Sequence, residues 1–362
     1  MVQKVNTPQP LRVLFIGLKY DYGEPRRGDS YENINFYGTL SSMNNLIVDF
    51  FPFDEIMRNK GRDKMNALLI ETVRNAKPDI CFFFLFTDEI KKETIQIITE
   101  REQTITLNWF ADDHWRFNSF SKYWAPLFHW SVTTDHKAVE KYHHIGCRNV
   151  IQSQWGFNHH LCKPVTVAKG HDVTFVGQVH SNRVRLINNL KDSGIHVECW
   201  GRGWSNGRLK QEEMISLYSQ SKINLNFTDS SPGLRLKPIV KALITRRADN
   251  YFRLNSPSEI TTHLSTLFGE HRQQIKGRNF EIPGSGGFLL TQRADKLEEY
   301  FVPDREIAIF SSEDELFEKI HYFLGHDSER ESIRLAGHKR AMKEHTFQKR
   351  FEDIFEIVLN KL

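Results

Sequence analysis

Two cations, a carboxylate and a glycine turn lie close together in the segment 276–291. The residues are Lys276, Arg278, Glu281, Gly286 and Gly287, and an apolar run follows them. Lysine and arginine can neutralise a diphosphate, and a carboxylate can accept hydrogen bonds from both hydroxyls of a ribose. The segment therefore predicts a short helix, a turn and a buried strand that hold a nucleotide.

A second polar cluster lies among aromatic residues in the segment 108–117. Asp112, Asp113 and His114 stand side by side there, and Arg116 follows them. Aromatic walls with polar tips suit a sugar, and a carboxylate beside an imidazole can transfer protons. These residues are candidate catalytic groups, although a charge-paired loop that caps a sheet would explain the same pattern.

A flexible loop leads into a predicted helix over 23–32. Gly28 lies in this loop, Ser30 is the expected helix cap, and Glu32 stands in the first turn. Backbone N–H groups at the start of a helix attract anions, so Gly28 is a candidate phosphate contact. The loop lacks the G-x-G-x-x-G pattern, which disfavours a tightly held dinucleotide, and a plain helix cap is the alternative.

Two loops in the second half of the chain also follow predicted strands. Gly177 precedes a helix that carries Arg183, and an arginine there can pair with phosphate in bidentate fashion. Gly201 and Gly203 follow the next strand, where the lack of a side chain could let a flat ring approach the backbone. Neither motif is specific when taken alone.

The composition indicates a folded protein of two domains. The chain has 362 residues, of which 39% are hydrophobic and 26% are charged. Its start is polar, and the apolar run 11–18 is too short to span a bilayer. The four cysteines lie far apart, which favours reduced thiols, so we expect a cytoplasmic protein.

The net charge of +4 is too small to indicate a nucleic-acid partner, and we expect none. Positive charge is nevertheless concentrated between Ser231 and Phe280, with nine Lys/Arg against three Asp/Glu. This segment could bind a phosphate-bearing ligand or lie peripherally against a membrane surface. A solvated helical face is the alternative.

The sequence offers weak candidates for a metal site. Asp112, Asp113 and His114 have the wrong spacing for tetrahedral zinc, and adjacent histidines such as 143–144 and 159–160 rarely chelate one ion. No Asp-x-Asp stands out at the end of a predicted strand. We therefore expect ligand binding without a metal or any other cofactor.

Strands and helices alternate in both halves, which is typical of parallel sheets covered on both faces. The first half has predicted strands at 11–18, 46–53, 80–86, 104–110, 130–134 and 149–154, with helices at 31–43, 64–75, 91–100 and 138–144. The second half has predicted strands at 172–179, 195–200, 223–227, 287–291 and 306–310, with helices at 183–192, 211–220, 314–324 and over 329–362. The pattern pauses at 158–170, which predicts a domain boundary there.

The segment 231–274 departs from this alternation and predicts two helices. The first begins near Pro238 and extends through Ile244. The second begins at Ser256, where Ser-Pro-Ser-Glu matches a capping box with proline at the first helical position. We expect the segment to be a helical insertion.

Taken together, these stretches resemble the group-1 glycosyltransferases of the GT-B fold, and in particular the CgeB-like branch of spore-maturation type. The similarity covers most of the chain. It rests on 109–117, 200–204 with 221–226, 276–291, and the tail motifs at 329–331, 336–337 and 344–346. The resemblance implies two Rossmann-like doubly wound domains that face a cleft, an acceptor-side domain at 1–165, a donor-binding domain at 166–343 and a last helix at 344–362 that crosses back to the first domain.

The resemblance also implies roles for the candidate residues. A nucleotide-diphosphate sugar, with a UDP-sugar as the first guess, would bind mainly to the second domain, and an unidentified acceptor mainly to the first. We expect the cations Arg183, Lys276 and Arg278 on the diphosphate, because the leaving group gains negative charge there. Glu281 resembles the second glutamate of the family's E-x7-E motif and would hold the ribose, with 201–203 near the base.

Other roles depend on the stereochemistry. Gly28 resembles the glycine loop that lies against the donor phosphates. Asp112, Asp113 and His114 would face the sugar or acceptor, and Asp113 or Glu32 would be the base if the reaction inverts. Group-1 relatives mostly retain configuration, so retention is the expectation.

Two rival interpretations stay open. A nucleotide-sugar 2-epimerase on the same fold would release a free sugar nucleotide without an acceptor. A non-catalytic binding module would keep the fold without turnover. The second rival arises because Gln273 occupies the position of the first glutamate of the E-x7-E motif, and in other members of the group that glutamate faces the donor sugar.

Overall fold

Two parallel β-sheets form the framework of the computed structural model. The structure describes residues 9–228, 244–246, 252–254 and 273–360. The described residues divide into two units. Unit 1 contains the chain up to Gln154, the short strands at 244–246 and 252–254, and the chain from Phe351 onward, whereas unit 2 contains the other described residues between Trp155 and Arg350.

The sheet of unit 1 has six parallel strands in the order β2-β1-β3-β4-β5-β6. Their bounds are β1 Leu11–Gly17, β2 Leu46–Pro52, β3 Ile80–Phe83, β4 Ile105–Phe110, β5 Trp130–Thr133 and β6 Val150–Gln152. Val13 of β1 lies opposite Val48 of β2 and Ile80 of β3. Strand β3 is buried along its whole length, as its unbroken apolar sequence requires of a sheet covered on both faces.

Seven α-helices accompany this sheet between residues 9 and 154. They are α1 Gly38–Leu40, α2 Phe53–Lys60, α3 Arg62–Ala76, α4 Lys92–Arg101, α5 Asp113–Arg116, α6 Lys122–Trp124 and α7 Ala138–His144. Two π-helical stretches, Asn33–Tyr37 and Phe117–Ser121, continue the chain after the loops that leave β1 and β4. Single π-turns of this kind occur often beside functional sites.

The sheet of unit 2 has five parallel strands in the order β13-β12-β9-β7-β8. Its strands are β7 His171–Val176, β8 Glu198–Trp200, β9 Ser221–Asn226, β12 Leu289–Gln292 and β13 Ala308–Phe310. The strands β10 Ile244–Arg246 and β11 Phe252–Leu254 form a separate antiparallel pair. The accompanying helices are α8 Ser181–Asp192, α9 Gln211–Gln220, α10 Arg278–Gly284, α11 Glu313–Gly325 and α12 Asp327–Glu344.

The last helix, α13 Phe347–Asn360, places phenylalanines in the core of unit 1. The ring of Phe351 lies 5.3 Å from that of Phe36 and 5.7 Å from that of Phe82, and Phe355 lies 6.3 Å from Phe82. Phe351 is fully buried. Together with Phe15 and Trp109, these rings cover one face of the sheet, so the end of the chain completes the core of unit 1.

The predicted alternation of strands and helices is confirmed, and the bounds of α7 and α9 match the prediction. The prediction for Ile244 is wrong. This residue begins a strand rather than continuing a helix, because Ile244 and Arg246 pair with Leu254 and Phe252 in an antiparallel ladder. The helix predicted from Ser256 lies outside the described residues.

The described part of the chain contains no helix that combines the length and the apolar character needed to cross a bilayer.

Candidate functional site

In each unit, the strand order reverses at one pair of strands. Open α/β sheets bind ligands in the crevice at the carboxyl ends of such a pair. In unit 1 the pair is β1 and β3, and in unit 2 it is β7 and β9. The loops that leave these strands carry most of the candidate residues.

The loop after β1 is tightly anchored in unit 1. The backbone N–H groups of Lys19 and Tyr20 donate to the two carboxylate oxygens of Asp54, at 2.8 and 3.0 Å. The hydroxyl of Ser30 donates to the carbonyl of Leu18 and accepts from the N–H of Asn33. Ser30 therefore caps the following helix as predicted, and it also closes the loop.

Gly28 lies exposed in this loop with φ of 79°, in the left-handed region that favours glycine. A Cβ atom placed there would meet nothing within 4 Å. The carbonyl of Gly28 accepts a hydrogen bond of 2.9 Å from the N–H of Asp21. The backbone conformation thus explains the glycine, and the space around it is open at the edge where a ligand is expected.

Glu32 has a perturbed carboxyl group at this edge. The pKa of Glu32 is raised to about 7, chiefly by desolvation and also by the charges of Asp21 and Asp112, while hydrogen bonds from the Glu32 backbone and Ser30 oppose the rise. The side chain is nevertheless only partly buried. A carboxyl group with a pKa near neutrality can either accept or donate a proton, which suits acid–base chemistry.

The segment after β4 brings Asp112 to the same edge. Asp112 precedes α5, and its carbonyl accepts from the N–H groups of Trp115 and Arg116. The guanidinium of Arg116 donates to the carbonyl of Phe86, beyond the end of β3, at 2.6 Å. The charge of Asp112 raises the pKa of Arg116, against the larger lowering by desolvation. The structure therefore brings Glu32, Asp112 and Arg116 together, with His114 partly buried in the same short helix.

Asp113 points into the interior of unit 1 instead. Its carboxylate accepts hydrogen bonds from the hydroxyls of Thr133 at 2.6 Å and Tyr142 at 2.7 Å, and it is 1% exposed. Desolvation raises its pKa to about 6, while hydrogen bonds from Ser121, Thr133 and Tyr142 oppose that rise. A group held in this way positions α5 against β5 and α7, and it is poorly placed to act on a sugar.

In unit 2, Arg183 lies in the first turn of α8, which follows β7. The guanidinium donates to the carbonyl of Gln178 at 3.0 Å and lies 5.5 Å from the ring of Phe175. The first turn of a helix of this length concentrates partial positive charge, to which the arginine adds a full charge. This arrangement can bind a phosphate group.

The glycines of the two neighbouring loops serve internal packing. A Cβ atom on Gly201 would lie 2.1 Å from the carbonyl oxygen of Gly177, and one on Gly203 would lie 3.0 Å from Val179. Trp204 donates from its indole to the Gly177 carbonyl at 2.9 Å. The space that the sequence suggested for a flat ring at Gly201 is thus filled by the backbone of Gly177, and the two loops are held to each other.

Glu281 is a buried carboxyl group in α10. It is 5% exposed, and desolvation raises its pKa, whereas the nearby charge of Arg278 lowers it. Arg278 and Lys276 are both partly exposed. A buried carboxyl group thus lies beside a partly exposed cation near the end of β9.

Gly286 and Gly287 are buried in the turn that follows α10. A Cβ on Gly286 would lie 2.9 Å from Pro164, and one on Gly287 would lie 2.9 Å from the side-chain nitrogen of Asn224 and from the carbonyl of Tyr218. These glycines are therefore required for close packing within unit 2. The expectation that they contact a donor is not supported by their surroundings.

Three buried polar residues that the sequence reasoning missed hold the segment 276–279 against the sheet. The amide of Asn226 donates to Asn279 and Thr291, and the amide of Asn279 donates to Thr291 at 3.0 Å. The Asn279 side-chain oxygen also accepts from the N–H of Lys276 at 2.8 Å. In the sequence, the polar residues near the carboxyl ends of two apolar strands were the signal that could have revealed this arrangement.

Among the described residues, no group of three or more His, Cys, Asp or Glu side chains is placed to hold a metal ion. The adjacent histidines have other surroundings. His144 contacts the carbonyl of Glu140 through Nδ1 at 2.8 Å, and the rings of His159 and His160 lie 4.0 Å apart.

Solved structures with similar folds include a protein in complex with UDP-glucose, a sucrose-phosphate synthase and a glycosyltransferase. HepE from Anabaena, in complex with UDP-glucose, is 10% identical with a TM-score of 0.60, covering 97% of this chain and 100% of that one. Sucrose-phosphate synthase from Thermosynechococcus elongatus is 8% identical with a TM-score of 0.58 over the same shares. A glycosyltransferase from Rickettsia africae is 11% identical with a TM-score of 0.55, covering 96% and 97%.

No curated protein matches the sequence. A family model described as Glycosyl transferase-like matches residues 183–356, slightly less than half of the chain. This match includes Arg183, Lys276, Arg278 and Glu281. The chain thus has the GT-B fold of its structural neighbours, and the segment that carries its cation–carboxylate cluster is similar to the Glycosyl transferase-like family.

Proposed function

We propose that the protein is a glycosyltransferase that moves a sugar from a nucleotide-diphosphate sugar to an acceptor. The observation that carries the proposal is the placement of Lys276, Arg278 and Glu281 near the end of β9, next to β7 and the helix that bears Arg183. This is the reversal point of the sheet, where a nucleotide is expected. The family match covers the same residues.

The donor is proposed to bind to unit 2 through charge and hydrogen bonding. Arg183, Lys276 and Arg278 would pair with the diphosphate, and Glu281 would accept hydrogen bonds from the ribose. The loops at 177–179 and 201–204 would lie near the base through their backbone. UDP is the first nucleotide to test, since HepE was solved with UDP and UDP-glucose.

The leaving diphosphate gains negative charge as the bond to the sugar breaks. Three cations and the amino end of α8 can stabilise that charge without a divalent ion. The proposed reaction is therefore metal-independent. We further propose that the protein belongs to the CgeB-like branch and acts in the cytoplasm. The basic segment 231–280 would then contact an anionic surface.

The acceptor is proposed to bind at the edge of unit 1 near Glu32, Asp112 and His114, and the phosphate contact of Gly28 stays a prediction. With retention of configuration, as the resemblance implies, the leaving phosphate can take the acceptor proton, and Glu32 orients the acceptor hydroxyl. With inversion, Glu32 would take that proton itself. Asp113 takes neither role, because its carboxylate accepts hydrogen bonds from Thr133 and Tyr142.

The test is a panel of UDP-, GDP-, dTDP- and ADP-sugars incubated with the purified protein, with and without saccharide acceptors. We expect nucleotide release that accelerates with an acceptor and a new glycoside by mass spectrometry. An isomeric free sugar nucleotide formed without acceptor would show a 2-epimerase instead. Nucleotide binding without turnover under every condition would contradict the proposal and favour a binding module.

A further inference from the structure

Three aromatic rings lie at the edge of unit 1 where β1, β3 and β4 end. Tyr22 is in the loop after β1, Phe86 follows β3, and Trp115 is in α5 after β4. Tyr22 is 54% exposed and Trp115 is 48% exposed. Large rings exposed to this extent at a sheet's ligand-binding edge are available for contact with a ligand.

The rings are joined by contacts between their loops. The ring of Tyr22 meets that of Phe86 edge to face at 5.4 Å. Arg116 donates to the carbonyl of Phe86 and lies 5.6 Å from the ring of Trp115. Tyr22, Phe86, Arg116 and Trp115 are therefore linked to one another, and we call this group the aromatic edge.

Tyr22 is held in a backbone conformation that its side chain does not favour. Its φ is 54° and its ψ is 25°, in the left-handed region. The guanidinium of Arg27 lies 4.3 Å from its ring and forms an ion pair of 2.9 Å with Asp21. A strained conformation that projects a ring into solvent persists only where the surroundings enforce it, and such residues concentrate at ligand sites.

Carboxyl groups lie beside the aromatic edge. Asp21 precedes Tyr22, Asp112 lies three residues before Trp115, and the charges of both act on the carboxyl of Glu32. Carboxylates accept hydrogen bonds from hydroxyl groups, and the guanidinium groups of Arg27 and Arg116 balance their charge here. The surroundings thus favour a ligand that has hydroxyl groups and apolar faces.

We propose that the aromatic edge is a binding subsite for the pyranose ring of a saccharide, which is the acceptor of the transfer. The C–H face of a pyranose packs on the exposed ring of Tyr22 or Trp115, because aromatic faces carry partial negative charge and C–H groups partial positive charge. Its hydroxyls donate to Asp21, Glu32 or Asp112. This inference depends on the proposed function only in calling the saccharide the acceptor. Binding of the saccharide can be measured without a donor.

The test uses saturation-transfer-difference NMR with methyl β-glucoside, methyl β-galactoside and maltotetraose. We expect saturation of the ring C–H protons of these sugars. Tyr22→Gly should reduce the affinity at least fivefold, because it removes the ring and glycine fits the left-handed backbone. Tyr22→Phe should bind like the wild type.

Two controls separate the subsite from the donor site and from the surface in general. Calorimetry with UDP should give the same affinity for the wild type and Tyr22→Gly. Tyr322→Ala removes an exposed ring of α11 in unit 2 and should leave saccharide binding unchanged. Absence of any neutral saccharide signal, or equal binding by Tyr22→Gly, would overturn the subsite. Failure of UDP-sugar turnover with intact saccharide binding would overturn only the proposed function.

Discussion

The hydroxyl of Tyr142 donates a 2.7 Å hydrogen bond to the carboxylate of Asp113, and both side chains are buried in unit 1. Thr133 donates to the same carboxylate oxygen. Asp113→Ala should therefore leave two buried hydroxyls without their acceptor, at a cost of about 2–5 kcal/mol in unfolding free energy. Asp113→Asn keeps one acceptor oxygen and should lose less. Urea unfolding measures both, and equal stability of Asp113→Ala and the wild type would contradict the role.

The raised pKa of Asp113 also predicts a pH dependence. Because folding favours its protonated form, its contribution to stability is complete below the ordinary value of 3.8 and declines as the pH rises through about 6. The unfolding free energy of the wild type should therefore fall between pH 4 and pH 6 relative to that of Asp113→Asn. Parallel stability curves for the two proteins would show that the carboxyl group is not perturbed.

Glu32 should determine how activity depends on pH. If the ionised carboxylate engages the acceptor, kcat/KM should rise with pH through about 7, the pKa to which desolvation raises this group. Glu32→Gln should remove that inflection. A loss of kcat of about a thousandfold would indicate a base in an inverting reaction, whereas a loss of about tenfold would indicate an orienting role. If the pH profile of Glu32→Gln kept the same inflection, the pKa would belong to another group.

Glu281→Ala should weaken nucleotide binding without unfolding the protein. Loss of one charge-assisted hydrogen-bonded pair costs about 1.5–3 kcal/mol, or roughly ten- to a hundredfold in affinity. Glu281→Gln, which keeps the size of the side chain, separates loss of charge from loss of packing in this buried position. Calorimetry with UDP and GDP is the measurement, and unchanged affinity for every nucleotide tested would remove the ribose role.

Chelation should leave turnover nearly unchanged. The proposed donor site stabilises the diphosphate with Arg183, Lys276 and Arg278, so incubation with EDTA should lower the rate by less than about twofold. The assay is nucleotide release in chelated and untreated protein. A loss of activity that Mn²⁺ or Mg²⁺ restores would contradict metal independence.

The end of the chain should be needed for the stability of unit 1. Phe351 is fully buried against Phe36 and Phe82, so Phe351→Ala should cost about 3–5 kcal/mol. Deleting 345–362 should have a larger effect. Hydrogen exchange should show lost protection in β3, while Leu359→Ala, at an exposed position of the same helix, should behave like the wild type. Full protection of the β3 amides from exchange in Phe351→Ala would show that β3 does not need the last helix.

The sequence predicted the parallel sheets well because their central strands are buried on both faces. Apolar runs such as ICFF in β3 are visible without any knowledge of neighbours. Ile244 was misjudged because its strand depends on a partner ten residues away, which local periodicity cannot reveal.

The site was predicted less completely for the same reason. Asp113 looked like its neighbour Asp112, and only the positions of Thr133 and Tyr142 distinguish a buried anchor from a candidate contact. Gly201 and Gly287 were predicted for a ligand, but they make room for Gly177 and Asn224 from distant parts of the chain. Residue type showed where chemistry could occur, whereas burial and long-range partners decided which residues remain available for it.

The hydrogen bonds that join Asn226, Asn279 and Thr291 have a thermodynamic consequence for donor binding. They fix the segment that carries Lys276 and Arg278 to the ends of β9 and β12 before any ligand arrives. A nucleotide then meets a site whose backbone is already ordered, so little conformational entropy is lost on association. Asn279→Ala should shift that cost to the binding step, which would appear in calorimetry as a more unfavourable entropy with nearly the same contacts made.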